Sequence, residues 1–155
     1  MLRRKQGYTL LELLVALLIL SLLAAVTLPD IMGWLHQYRL QAAVVSITNH
    51  LRAARLLAVF TGLEHQVQIK PAGEGNYYQV VEDPDDTDTI VMSIGRIVLD
   101  KRFGEVQITR VTAGGRLTFY PKGTARNGSI YLENSVGTRV KVVVSTTGRI
   151  RTEYL

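Results

Sequence analysis

The chain has 155 residues, 47% of them hydrophobic and 20% charged, with a formal net charge of +5 and no cysteine. That length has room for one membrane segment and one globular domain of roughly 90 to 120 residues, and excludes a second soluble domain. Without cysteine there are no disulfides and no thiolate metal sites, so the fold rests on its core alone.

The charge is uneven: residues 1–63 sum to +4, 64–100 to −6 and 101–155 to +7. His36, His50 and His65 are dispersed, and none has a metal-ligand spacing to another histidine or a carboxylate. No metal and no cofactor is expected. There is no nucleophile elbow, phosphate-binding glycine loop or close histidine and carboxylate arrangement, so the chain does not read as an enzyme.

In chain order, Arg3, Arg4 and Lys5 precede an apolar run from Leu13 to Leu28 whose only polar residues are Ser21 and Thr27. A basic head before such a run keeps the N-terminus cytoplasmic and sends the downstream chain across the membrane. With Tyr8 to Leu11 included, the segment reaches the ~20 residues that span a bilayer as a helix. A cleaved secretory signal would need small residues beyond the run, a pattern that Ser21-Leu22-Leu23 fits poorly. A plain anchor would have no use for Glu12, since an ionisable group there costs ~2.5 to 3.5 kcal/mol on insertion.

Gly7-Tyr8-Thr9-Leu10-Leu11-Glu12, with the basic head before it and the apolar run after it, resembles the cleavage junction of type IV pilin and pseudopilin precursors. The resemblance implies that a prepilin peptidase cuts after Gly7 and methylates the amine of Tyr8, where the family usually has Phe. It also implies that Glu12 pairs with the amine of a neighbouring subunit during assembly.

Pro29 and Gly33 interrupt the apolar pattern, which resumes at once. A bend near Val26 to Pro29 is expected rather than a stop. Leu40, Val44, Ile47, Leu51, Ala54 and Ala58 then follow helical spacing, and Gly62 provides a C-terminal stop. The expected helix therefore runs from about Thr9 to about Thr61.

From Glu64 the period becomes alternating, as in Val67 and Ile69, Tyr78 and Val80, Val106 and Ile108, Leu117 and Phe119, Ile130 and Leu132, and 140–144. Glycine turns separate these runs. The fold class is α+β: one long N-terminal helix, with a transmembrane first half, packed on an antiparallel β-rich domain of about eight short strands. Glu82-Asp83-Pro84-Asp85-Asp86-Thr87-Asp88 reads as a solvated acidic loop, since it lacks the glycine and distal glutamate of a calcium loop.

The segment from Leu117 to Ile130, with Phe119, Pro121 and Gly123, and the later Ser145-Thr146-Thr147-Gly148-Arg149-Ile150-Arg151 resemble the C-terminal half of GspH/FimT pseudopilins. That resemblance implies a cleaved leader 1–7, a transmembrane or filament-core half-helix 8–29, an amphipathic half-helix 30–62 and a periplasmic β-rich domain 63–155. It implies an inner-membrane protein that enters a pilus or pseudopilus. The implied partners are other pilin subunits through the helix, prepilin peptidase and the inner-membrane assembly platform.

The first reading is a minor pseudopilin or minor pilin that initiates or caps the filament. The alternative adds binding of double-stranded DNA without sequence specificity, as in DNA uptake during natural transformation. In that case Arg149 and Arg151, two apart on one strand face, contact phosphates with Lys122, Arg126, Arg139 or Lys141. The same arginines also fit a solvated edge strand protected from aggregation by its charge.

Overall fold

The computed structural model describes residues 8–82, 89–91 and 94–155, with the side chains of 26–32 and 89 outside that description. The expected leader and Gly7 lie outside the described residues, as does most of the acidic loop. The chain divides into two units, one ending at Leu35 and one comprising His36–Leu155.

Helix α1 spans Leu10–Thr61 and is helical through both Pro29 and Gly33. Thr9 starts it: the Thr9 Oγ1 accepts the Glu12 amide N–H at 3.2 Å, and Leu13 N–H donates to the Thr9 carbonyl at 3.2 Å. This is the threonine-to-glutamate spacing of an N-terminal capping box, with the acid at the positive end of the helix dipole. At the other end Gly62 turns left-handed at φ 72°, its N–H bonded to the Ala58 carbonyl, which only glycine does without strain. The expected bend falls among residues whose side chains are not described.

In the first unit the helix carries large apolar side chains on every face, and those from Leu10 to Leu23 expose between 50% and 77% of their surface. Among the described residues no helix is long and apolar enough to cross a membrane.

In the second unit the helical stripe is buried as its spacing predicts. Leu40, Ala43, Val44, Ile47, Leu51, Ala54 and Ala58 form one core cluster with inward residues of both sheets. The first sheet contains β1 (His65–Lys70), β2 (Tyr77–Glu82), β3 (Thr89–Ile90), β4 (Arg96–Val98) and β6 (Arg116–Phe119), in the order β3-β2-β1-β6 with β4 also on β2. The second orders β5 (Gln107–Val111), β7 (Gly128–Glu133), β8 (Arg139–Val144) and β9 (Ile150–Tyr154) as β5-β7-β8-β9. Every pairing is antiparallel. Nine strands are therefore described, one more than the alternation implied, together with a short helix α2 at Leu99–Phe103.

In β8, Val140, Val142 and Val144 turn inward while Arg139, Lys141 and Val143 alternate outward, the pattern of a sheet with one wet face. Asn76, left-handed at φ 48°, joins the sheets. Its amide nitrogen donates to Asp100 and to the Val106 carbonyl, and its side-chain oxygen accepts the Ile108 N–H at 2.9 Å.

Candidate functional site

Two regions hold the residues singled out by sequence. The first is the start of α1. Tyr8 precedes the helix and is almost fully exposed, and Glu12 sits in the first turn. The Glu12 amide is satisfied by Thr9, while its carboxylate has no ion pair or hydrogen bond among the described residues. A carboxylate that the fold leaves unused, at the head of an exposed apolar surface, is available to another molecule.

The second region is the pair of loops around Gly123 and Gly148. The Gly123 carbonyl accepts the Arg55 Nε at 2.9 Å, and the Thr147 carbonyl accepts an Arg55 terminal nitrogen at 3.3 Å. Ala125 N–H donates to the Thr146 carbonyl. One arginine from α1 thus fastens the turn after β6 to the turn between β8 and β9. Gly148 has φ 76°, and a Cβ added there would press on the Gly123 carbonyl oxygen. The two motifs recognised separately in the sequence meet at this point.

These loops carry Lys122, Arg126 and Arg149, all exposed, at one end of the second sheet. Arg151 is exposed on β9 beside them. Arg149 lies one residue before β9, and its carbonyl accepts the Ser145 N–H, so it continues the β8–β9 register two positions from Arg151. Arg149 also lines a cleft of about 590 Å³ with Arg52, Arg55, Leu56, Val59 and Ile150.

Arg139 and Lys141 differ from the rest. Arg139 pairs with Glu133 at 2.9 Å and Lys141 with Glu153 at 3.2 Å, so neighbouring acids offset their charge. No acidic partner of Lys122, Arg126, Arg149 or Arg151 is found among the described residues. Among those residues no group of three or more potential metal ligands occurs.

Sequence reasoning overlooked Arg55, because an arginine off the apolar stripe of a helix looks like an ordinary solvent-facing charge. It also overlooked a polar cluster under α1. There the Tyr78 hydroxyl lies 2.8 Å from the His50 Nδ1 and 3.0 Å from the Ser46 Oγ. Burial pushes the Tyr78 phenol up to about 12. Burial, with Arg102 nearby, lowers the His50 imidazole below its ordinary 6.5. The phenol thus hydrogen-bonds both the imidazole Nδ1 and the Ser46 hydroxyl. The cluster pins helix to sheet.

The prokaryotic N-terminal methylation motif matches residues 2–28. The family described as type II transport protein GspH matches residues 43–148. No curated protein matches the chain. Among solved structures, the minor pseudopilin EpsH from the type 2 secretion system of Vibrio cholerae is similar. It superposes with a TM-score of 0.59 at 12% identity, over 75% of this chain and 97% of that one. The type IV minor pilin FimU of Pseudomonas aeruginosa superposes with a TM-score of 0.58 at 18% identity, over 77% and 92% respectively. At such identities these likenesses speak for the fold, in agreement with a long helix on antiparallel sheets.

Proposed function

The chain belongs to the type II transport protein GspH family, and we propose that it is a minor pseudopilin or minor pilin that helps initiate or cap the filament of a secretion system or pilus. Prepilin peptidase removes 1–7 after Gly7 and methylates Tyr8. The helix then holds the protein in the inner membrane, with its N-terminus cytoplasmic and its β-rich domain periplasmic, until the assembly platform moves it into the filament. The observation that carries this reading is the exposed apolar start of α1 with an unpartnered Glu12 in its first turn. In an apolar helix bundle that carboxylate is costly unless a cation meets it, and the methylated amine of an adjacent subunit supplies one.

Glu12→Val tests this in cells that assemble the filament. The expected outcome is normal cleavage after Gly7 with loss of incorporation into sheared filaments. Incorporation at the level of the unsubstituted chain refutes the pairing role.

A second reading is favoured by Lys122, Arg126, Arg149 and Arg151, basic groups at one end of the domain for which no ion pair is found among the described residues. They suit phosphate contacts with duplex DNA, in binding that weakens steeply with salt. Titration of the full chain in detergent against duplex DNA tests it. Absent binding at low salt, or binding unchanged in Arg149→Ala/Arg151→Ala, refutes it.

A further inference from the structure

We propose that the groove between α1 and the open edge of β9 receives an extended acidic segment of a partner protein, which adds to the second sheet as a further strand. β9 ends the strand order β5-β7-β8-β9, so its outer edge has no neighbour among the described residues. The pairing fixes which backbone groups face that edge. Ser145 N–H bonds the Arg149 carbonyl and Leu155 N–H bonds the Arg139 carbonyl. Because bonded positions alternate in an antiparallel pair, residues 149, 151, 153 and 155 turn toward β8. The amides and carbonyls of Ile150, Thr152 and Tyr154 turn outward.

Alongside this edge lies space for a chain. The 590 Å³ cleft at Arg149 and Ile150 is followed by one of about 380 Å³ lined by Val45, Thr48, Arg52, Thr152 and Tyr154. Arg52 lines both, so they form successive parts of one groove along β9, whose five residues extend for ~17 Å. Apolar patches from Leu56, Val59 and Ile150 at one end and from Val45 and Tyr154 at the other suit alternate side chains of an inserted strand.

The charge of the lining indicates the occupant. The groove is lined by Arg52, Arg55 and Arg149, with no acidic side chain among the described lining residues, which favours an acidic segment. Nucleic acid makes use of the arginines but not of a row of outward backbone groups, so peptide is the better match.

The test uses the full chain in detergent and a fluorescent seven-residue peptide alternating valine and glutamate. Expected is saturable binding, with the amides of Ile150, Thr152 and Tyr154 becoming protected from hydrogen exchange. The same peptide with proline at alternate positions lacks the required N–H groups and is expected not to bind. Arg52→Glu/Arg149→Glu is expected to weaken the peptide by ~10-fold or more and to favour a valine and lysine counterpart. Thr152→Pro removes the central outward amide and is expected to abolish binding; the proline peptide gives the same information should that variant unfold. Equal affinity for the proline peptide overturns the proposal. So does a lack of peptide binding where a duplex oligonucleotide binds the same arginines, which assigns the groove to phosphate instead.

Discussion

Replacing Gly148 by alanine, with Gly137→Ala as its control, separates backbone strain from the close approach of the two loops. Both glycines are left-handed, at φ 76° and φ 83°, so alanine carries at each the ~1–2 kcal/mol conformational penalty of that region. A Cβ at Gly137 meets nothing within 4 Å, whereas at Gly148 it presses on the Gly123 carbonyl oxygen and lies 2.7 Å from the Arg55 Nε. That oxygen is the one Arg55 holds at 2.9 Å. Relieving the overlap separates the loops and breaks the bond. A charged hydrogen bond contributes ~1.5–3 kcal/mol, and the half-exposed position of Arg55 brings this nearer ~1–2 kcal/mol. The expected losses are therefore ~1–2 kcal/mol for Gly137→Ala and ~2–4 kcal/mol for Gly148→Ala. Urea unfolding of the full chain in non-ionic detergent, followed by circular dichroism, measures both. In an Arg55→Ala background the cost of Gly148→Ala is expected to shrink, because the two changes share one contact. Equal losses for the two glycines, or full additivity with Arg55→Ala, refute the clamp.

Three further outcomes are expected. Asn76→Ala leaves the Ile108 N–H and Val106 carbonyl without their side-chain partner and is expected to lower stability by ~2–4 kcal/mol; a loss below ~1 kcal/mol in urea midpoint at constant slope argues against this. The Tyr78 phenol, at about 12 in the fold against 10.0 unfolded, stabilises fully below pH 10 and loses that contribution as pH rises toward 12, by up to ~2–3 kcal/mol. Phenolate absorbance should show one late-titrating tyrosine, absent in Tyr78→Phe. For His50 the lowered value means that the unfolded chain takes up a proton first as pH falls. Stability is thus complete above pH 6.5 and declines below it, and His50→Gln is expected to flatten that decline; an unchanged profile refutes the assignment.

Strong periodicity made much of the fold legible. The stripe Leu40 to Ala58 and the alternation of β1, β2, β7 and β8 depend on which side chains leave water, and sequence records that directly. β3, β4 and α2 were missed because they have two, three and five residues, too few for a period, and their pairing is imposed by β2. Asn76 was not legible in the sequence because its hydrogen bonds are to residues 24 to 32 positions away. The Arg149 and Arg151 spacing was legible, but the start of β9 was not, since the turn before it is held at Thr146 and Thr147 by Ala125 and Arg55, residues distant in sequence. Acids opposite Arg139 and Lys141 come from pairing register, which composition does not reveal.

The junction between α1 and β1 bears on mechanical load. The helix ends at Thr61, β1 begins at His65, and β1 is an interior strand matched to β2 over six positions and to β6 over four. Tension applied through the helix therefore reaches a strand gripped on both sides, and extracting it requires two ladders to fail together. Had the helix led into an edge strand, one ladder could peel bond by bond. A subunit wired in this way can be pulled by its stem without unravelling its head.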